Sequence, residues 1–187
     1  GAIVAASPGM PPIDGQLLKF VLGAEKGERA MSPMYEGPDG APTMAFLAPV
    51  FGVQDDQSAA SQIGVVVGVK PVAAELFPRL RQPGASWESA EAVLVRQSGN
   101  SVTYLSPLTS VDGAPVSTRT RALDTPDLAA TFALRTPGGF AAKTDYRGNA
   151  VLVTARALTG TPWTLLYKIN STEALAASEA RLTQMVI

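Results

Sequence analysis

Histidine and cysteine are both absent from the 187 residues of this sequence. Their absence excludes a Ser-His-Asp triad, a cysteine nucleophile and the ordinary zinc sites built from His and Cys within this chain. It also excludes a disulfide framework. It does not decide the compartment, because many exported bacterial proteins lack cysteine as well.

Large charge clusters and long apolar runs are missing too. The formal net charge is −1, and the densest basic segments are only Arg79–Arg81 and Arg119–Arg121. They do not form the basic stripe that nucleic-acid-binding proteins usually carry. No apolar run approaches the roughly 20 residues of a membrane span, and the first residues lack the charged start of a signal peptide. We therefore expect no nucleic-acid partner, no cofactor, and a membrane link only through segments outside this chain.

The chain has instead the composition of a folded protein and an internal repeat. Hydrophobic residues make up 46% and charged residues 17% of the sequence, which is typical of globular domains. GAPTMAFLAPVFG at 40–52 aligns without a gap with GNAVLVTARALTG at 148–160. IGVVVGVKPVAAEL at 63–76 and WTLLYKINSTEAL at 163–175 then each predict a strand that passes into a helix. The repeat predicts two copies of one α+β unit, roughly 100 residues apart, each an antiparallel sheet with helices on one face.

The first unit is predicted to span residues 1–81. Asp14 is placed to cap a helix that ends near Gly23, and the turn signal Gly37-Pro38-Asp39-Gly40 predicts a hairpin of residues 30–36 and 43–51. Three further elements are predicted: a short buried strand at Gly1–Ser7, a nearly continuous apolar strand in the middle of the sheet at Ile63–Val69, and a short helix that Pro71 opens and Pro78 stops.

The second unit is predicted at residues 90–170, after a linker at 82–89 (QPGASWES), and an exit helix follows at 171–187. AVLVRQSG at 92–99 and AIVAASPG at 2–9 are similarly spaced, so the repeat extends to the start of each unit. Thr125-Pro126-Asp127 predicts a helix start with a cap, a proline and a dipole-favouring acid. The exit helix is predicted to be capped by Asn170, with Glu173 closing a capping box.

These segments resemble a known family. The resemblance rests on Met31-Ser32-Pro33-Met34-Tyr35, on DGAPTMAFLAPVFG and IGVVVGVKPVAAEL in the first unit, and on TDYRGNAVLVTARALTGTPWTLLYKINSTEAL in the second. The sequence is similar to the double-Cache (tandem PAS-like) extracytoplasmic sensor domains of bacterial histidine kinases, chemoreceptors and cyclic-dinucleotide enzymes. The resemblance covers essentially the whole chain, and its motifs are structural rather than catalytic.

The resemblance implies a membrane-distal pocket in the first unit and a membrane-proximal one in the second. It implies that the exit helix continues toward a transmembrane segment and a cytoplasmic output domain. The chain would then be the periplasmic portion of an inner-membrane receptor that is a homodimer in its full-length form. The long N-terminal helix typical of the family is not in this sequence, so we expect a piece of a longer protein.

One departure from the family bears on the ligand. The amino-acid-sensing subgroup of the family that this sequence resembles has a motif. It consists of an Arg followed by Trp-Tyr, a later Tyr, and an Asp that ends the fifth strand. Here Leu17–Ala24 contains no Arg-x-Trp-Tyr, and the strand ending at Val69-Lys70 shows no Asp. Only Tyr35 sits where a motif residue is expected. We therefore expect a small-molecule ligand that is not a typical amino acid.

Four residues of the first unit are candidate ligand contacts: Tyr35, Arg29, Met44 and Phe46. A phenol at Tyr35 and a guanidinium at Arg29 could hold a small carboxylate, the arginine through a bidentate fork. Met44 and Phe46 alternate along a strand of which one face must line the core and any cavity. The alternative for each is structural: a strand residue at Tyr35, a solvated charge at Arg29, and core packing at the other two. No metal ligands are predicted, because the adjacent acids Asp55-Asp56 are typical of a solvated loop.

In the second unit Tyr104, Arg119 and Arg121 could line an anion pocket. The alternating Thr-Arg-Thr-Arg run is more simply the exposed face of an edge strand.

Three functions remain open at this point. A sensor without chemistry of its own fits the repeat and the missing catalytic residue types. A ligand-blind dimerisation or interaction module fits the apolar stripe of the exit helix equally well. An enzyme would need paired carboxylates, a Ser-Lys pair or a metal held by acids, and the acidic residues are scattered. We favour the sensor and expect no enzymatic activity in this chain.

Overall fold

The structure, a computed structural model, describes residues 3–38, 40–52, 61–72, 75–80, 87–108 and 119–176. The chain divides into two compact units, Gly1–Leu76 and Phe77–Ile187. Each contains an antiparallel sheet and short helices. The predicted linker at 82–89 and the exit helix lie largely outside the described residues, so the exact domain limits stay a prediction.

One long strand organises the first unit. Helix α1 spans Gly15–Gly23, as Asp14 and Gly23 predict, although the Asp14 side chain forms no capping bond. Strand β3, Pro42–Phe51, pairs on one side with β1, Ala30–Met31, and β2, Tyr35–Glu36, and on the other side with β4, Gln62–Pro71. All of these pairings are antiparallel.

The hairpin predicted around the Pro-Asp turn is present, but its first strand is interrupted between β1 and β2. Pro33 lies in the gap and has no backbone N–H to contribute to a ladder. Ser32 compensates, because its backbone N–H donates to the Ala45 carbonyl and its Oγ accepts from the Ala45 N–H, both at 2.8 Å. These two bonds hold the interrupted strand against the buried centre of β3.

Two strand predictions for the first unit are wrong. Residues 3–7, from the predicted strand Gly1–Ser7, form no strand and are exposed, while residues 1 and 2 lie outside the described part. The apolar run Ile63–Val69 does not lie in the middle of a sheet, because β3 is the only described strand that pairs with β4. A continuous apolar run indicates burial on both faces but does not reveal which edge of the strand has a partner.

The helix after β4 begins later than predicted and does not stop at Pro78. Pro71 ends β4, and helix α2 spans Leu76–Leu80 with Pro78 as its third residue. Proline is tolerated there because the N–H groups of the first helical turn have no acceptor inside the helix.

The second unit is a six-stranded antiparallel sheet in the order β7-β6-β5-β10-β9-β8. Its strands are β5 Glu91–Ser98, β6 Ser101–Tyr104, β7 Thr120–Ala122, β8 Phe140–Thr144, β9 Ala150–Ala157 and β10 Trp163–Asn170. The first and last strands of the unit, β5 and β10, are therefore neighbours at its centre. Their inward residues pair across the two strands, Val93 with Leu166 and Val95 with Thr164. Val93, Val95 and Leu166 belong to the hydrophobic core, to which helix α3, Ala129–Arg135, also contributes.

Helix α3 starts four residues after the Thr125 that was predicted to cap it. Thr125-Pro126-Asp127 forms a turn in which Asp127 has a φ of 51°, and Leu128 occupies the N-cap position. The Asp127 carboxylate pairs with Lys143 Nζ at 2.9 Å instead of capping the helix. Leu128 is buried in the core, so packing, rather than capping chemistry, sets where the helix begins.

The exit helix begins where predicted, but its capping differs. Residues 171–176 are helical and directly follow Asn170. The Glu173 carboxylate does not close a box on Asn170; it accepts hydrogen bonds from the Glu88 N–H at 2.7 Å, the Ser89 N–H at 2.9 Å and the Ser89 hydroxyl. Ser89 Oγ in turn accepts from the Asn170 N–H at 3.0 Å. The helix start is thus tied to the residues that lead into β5.

Candidate ligand-binding site

The first unit contains a surface groove of about 340 Å³ at the end of α1, within the range of small-molecule sites. Its walls are the last turn of the helix and the segment that leads into β1. The Gly27 N–H holds this segment by donating to Gln62 Oε1 at 2.6 Å. The lining residues are Lys19, Phe20, Gly23, Ala24, Glu25, Glu28, Arg29 and Ala30.

Four charged side chains surround this groove: Lys19, Arg29, Glu25 and Glu28. All four are exposed, and within the described part of the chain none of them takes part in an ion pair. Phe20 adds a half-buried aromatic wall. The groove therefore offers two cationic groups and an apolar surface to a ligand, together with two carboxylates that disfavour a highly charged anion.

Of the four candidates from the sequence, Arg29 alone lines this groove. Tyr35 lies on β2, half-buried, and burial raises the pKa of its phenol. Its Cα partner is Thr43, so its side chain points to the same face of the sheet as Thr43. Met44 is the next residue of β3 and points to the opposite face, because successive side chains alternate.

The two faces of β3 differ in burial. Thr43, Ala45 and Leu47 are all buried on one face, whereas on the other Met44 is buried and Phe46 is 45% exposed. Tyr35 thus lies on the same face as Thr43, Ala45 and Leu47, and Met44 and Phe46 lie together on the opposite one. The four candidate residues do not meet at one point, and their roles as ligand contacts stay a prediction.

The candidate residues of the second unit are more buried than the sequence indicates. Arg121 is exposed on the edge strand β7, as the edge-strand interpretation expects, but Arg119 is buried and its Nη1 donates to the Ser106 carbonyl at 3.1 Å. The edge-strand interpretation is therefore wrong for Arg119. Tyr104 is also buried, its hydroxyl has no hydrogen-bond partner within the described residues, and burial raises its pKa far above the usual value.

Beside Tyr104 lies a buried ionic cluster that the sequence analysis did not identify, formed by Lys168, Glu91, Asp145 and Tyr146. The Lys168 ammonium is 1% exposed, 2.8 Å from Asp145 Oδ2, 3.0 Å from Glu91 Oε2 and 5.0 Å from the centre of the Tyr146 ring. The Tyr146 hydroxyl donates to Glu91 at 2.9 Å. Tyr104 packs edge-on against Tyr146, with ring centres 5.7 Å apart.

Asp145 is the best satisfied carboxylate of this cluster. Burial alone would raise its pKa, but the hydrogen bond from Lys168 and those from the Asn149 and Arg147 N–H groups outweigh burial and lower the pKa. A buried ammonium with two carboxylates and an aromatic face is fully paired. The cluster therefore has a structural role, and its ammonium is not available to a ligand.

In the described ranges, no group of three or more acidic side chains is placed to hold a metal ion. No helix of those ranges is long and apolar enough to cross a bilayer.

Solved structures similar to this chain are sensory domains. The periplasmic sensory domain of the Campylobacter jejuni chemoreceptor Tlp1 matches with a TM-score of 0.58 and 13% identity, over 86% of this chain and 56% of that one. The ligand-binding domains of two Pseudomonas aeruginosa amino acid chemoreceptors match as well. PctC in complex with GABA has a TM-score of 0.51 and 17% identity, over 90% of this chain and 66% of that one. PctB in complex with L-Arg has a TM-score of 0.50 and 16% identity, over 84% and 56%.

The chain has a Cache-type fold. This confirms the predicted fold class, an α+β protein with tandem PAS-like modules, and the resemblance from which it was inferred. The chain spans between 56% and 66% of the length of these three structures. No family model and no curated protein matches its sequence. At 13–17% identity the likeness establishes the fold alone.

Proposed function

We propose that this chain is the extracytoplasmic sensing domain of a transmembrane signalling receptor and that it binds a small molecule in its first unit. The observation that carries the proposal is the groove at the end of α1, where Lys19 and Arg29 lie beside the aromatic wall of Phe20 and form no ion pair with any described residue. The Cache-type fold supports a sensing role, since the similar structures are periplasmic sensory and ligand-binding domains. The receptor's output is a kinase, a cyclase or a chemoreceptor signalling domain.

The ligand class follows from the charges of the groove. A guanidinium binds a carboxylate through two parallel hydrogen bonds, and a carboxylate is present in both GABA and L-Arg, the ligands of PctC and PctB. We propose a small carboxylate that is not a typical α-amino acid, because the amino-acid motif is missing around Leu17–Ala24 and Val69-Lys70. No chemistry on the ligand is required of this domain.

A thermal-shift screen of the chain tests the proposal. The panel contains small carboxylates, amines, sugars, nucleobases and amino acids. A ligand at ~100 times its dissociation constant stabilises the folded state by about 2.7 kcal/mol, which raises the melting temperature by several degrees in a chain of this size. We expect a carboxylate to produce this shift.

Matched variants locate the site. Arg29→Ala and Lys19→Ala should abolish the shift, whereas Lys26→Ala should not, because Lys26 is an exposed cation of the same segment that does not line the groove. A shift lost with Tyr35→Ala but kept with Arg29→Ala would move the site to the sheet. An amino-acid hit would contradict the ligand class. A flat screen with a cooperative melt would favour the alternative function, a ligand-blind dimerisation module.

A further inference from the structure

The buried cluster of the second unit has the composition of a receptor for a primary ammonium group. An ammonium carries three N–H donors and no acceptor. The Lys168 ammonium lies 2.8 Å from Asp145 Oδ2 and 3.0 Å from Glu91 Oε2, and the centre of the Tyr146 ring is 5.0 Å away. Aromatic faces attract cations within about 6 Å of the ring centre. Two anionic acceptors and an aromatic face would recognise a protonated amine from any source.

These three groups are held in place by contacts that do not involve the ammonium. Asp145 Oδ1 accepts hydrogen bonds from the Arg147 N–H at 2.8 Å and the Asn149 N–H at 3.0 Å. The Tyr146 hydroxyl donates to the Glu91 carboxylate at 2.9 Å. The site is therefore largely organised before an ammonium enters it, and preorganised groups bind a ligand at a lower cost in conformational freedom.

The turn that carries Asp145 forms in the first unit without an acid. The Asp145 N–H donates to the Asn149 carbonyl, and the Gly37 N–H donates in the same way to the Ala41 carbonyl, both at 2.9 Å. The repeat aligns residues 145–149 with residues 37–41. Glycine thus occupies the place of the aspartate, so the carboxylate is not needed to build this turn.

The strand that carries Lys168 also has a neutral counterpart. Pro71 of β4 and Asn170 of β10 pair with the aligned positions 43 and 151 of β3 and β9. Two residues before them lie Val69 and Lys168, which are therefore equivalent. The hairpin forms with valine in one unit and with lysine in the other. The cation and the acid serve each other and are not a requirement of the fold.

We infer that the second unit contains a binding site for a primary alkylammonium group and that Lys168 fills this site as a ligand attached to its own chain. The charges support this assignment. Asp145 and Glu91 are balanced by the ammonium and by Arg147, whose Nε lies 3.6 Å from Asp145 Oδ2. Without the lysine, the site holds one buried negative charge in excess. The inference is independent of the groove in the first unit, because it concerns contacts within the second unit alone.

Rescue of Lys168→Ala by a free amine tests the inference. The substitution removes three carbons and the ammonium, and n-propylammonium is the fragment that is lost. Thermal unfolding is followed by tryptophan fluorescence, since Trp87 and Trp163 both belong to the second unit. Sodium chloride at the same concentration serves as the reference for propylammonium chloride.

The variant should melt below the wild type, and the amine should restore part of the loss. Above its dissociation constant, each tenfold increase in amine should raise the melting temperature of the variant by about 5 °C. The wild type should not respond, because its own lysine fills the site. Nuclear Overhauser contacts between the propyl protons and the Tyr146 ring should locate the bound amine.

Lys143→Ala is the matched control. Lys143 Nζ also lies near a carboxylate and an aromatic ring, 2.9 Å from Asp127 and 5.9 Å from the centre of the Phe132 ring. Its carboxylate is largely exposed, so a free amine gains little there and should not stabilise this variant. Lys168→Met fills the site with an uncharged stem and should not respond either. Neutral 1-propanol, which has the size of propylamine, should not rescue Lys168→Ala.

Three results would overturn the inference. The first is a response of Lys168→Ala no larger than that of the wild type, which would mean that no amine site forms. The second is an equal rescue by propanol, which would indicate an apolar cavity. The third is an equal response of Lys143→Ala or Lys168→Met, which would place the amine elsewhere. If Lys168→Ala does not fold alone, it is refolded with each additive: recovery with propylammonium only supports the inference, and any other result contradicts it.

Discussion

Replacing Lys168 by methionine should destabilise the second unit more than any surface charge replacement. Methionine keeps most of the volume of the lysine stem and removes its charge. Asp145 and Glu91 would then be two buried carboxylates facing each other without the ammonium that joins them. Removing one partner of a buried pair costs about 3–5 kcal/mol.

The structure places the cost near the lower end of that range. Asp145 would keep the two backbone hydrogen bonds from Arg147 and Asn149, and Glu91 would keep the bond from the Tyr146 hydroxyl. We therefore expect a loss of about 3 kcal/mol in the free energy of unfolding. With a denaturant slope of about 1.5 kcal/mol per molar urea, the midpoint of unfolding should fall by about 2 M.

Urea unfolding followed by tryptophan fluorescence measures this loss in the correct unit, because both tryptophans, Trp87 and Trp163, belong to the second unit. Lys143→Met is the matched control. It removes a lysine whose partner, Asp127, is largely exposed, and such pairs contribute at most about 1 kcal/mol. If Lys168→Met costs no more than this control, the buried cluster does not stabilise the fold and the reasoning fails.

Combining Lys168→Met with Asp145→Asn should cost less than the sum of the two single changes, since the second removes a carboxylate left unpaired by the first.

Three further predictions concern the same unit. The pKa of Asp145 is lower in the folded state than in the unfolded chain, where it is about 3.9, so the ionised carboxylate stabilises the fold above that pH. This stabilisation should be lost as the pH falls from the unfolded pKa through the lower pKa of the folded state. Asp145→Asn should flatten that part of a curve of stability against pH. The raised pKa of Tyr104 should keep its phenol protonated above pH ~10, so an absorbance titration at alkaline pH should show one tyrosine that ionises only on unfolding. Its ionisation in step with exposed tyrosines would contradict the burial. Gly139→Ala would bring a Cβ within 2.8 Å of the Phe132 ring and 3.0 Å of the Thr136 carbonyl, and should cost about 1–3 kcal/mol in urea unfolding.

Turn residues predicted the hairpin of residues 30–36 and 43–51, and the repeat predicted the strands that become β4 and β10, because turn residues and apolar patterns are local signals. Strand neighbours that are distant in the chain left no such signal. The apolar run in β4 looked central, yet its edge position depends on what pairs with it and not on its own composition. Pro33 split the edge strand in a way that the hairpin signal alone did not reveal.

The buried cluster could have been partly foreseen. Lys168 is the one charge in the strand WTLLYKIN and stands two residues after Leu166, which is an inward position of β10. A lone lysine at an inward position indicates a buried charge that needs a partner. Glu91 and Asp145, however, are 77 and 23 residues away in the sequence, and only the register of three strands brings them to the ammonium. Lys19 and Arg29 likewise line one groove only because the backbone turns between α1 and β1.

The neighbouring positions of β5 and β10 also determine how the second unit would respond to force. Strand β5 begins at Glu91 and β10 ends at Asn170, and both residues lie at the same end of one antiparallel ladder. A pull that separates the entering and leaving segments therefore opens the ladder one rung at a time, as a zipper opens, instead of loading all its hydrogen bonds together. The first rung holds the pair of Glu91 and Lys168. Small displacements of the segment beyond residue 170 would thus load the hydrogen bonds of Glu173 and Asn170 to residues 88 and 89 first, and the buried ion pair next.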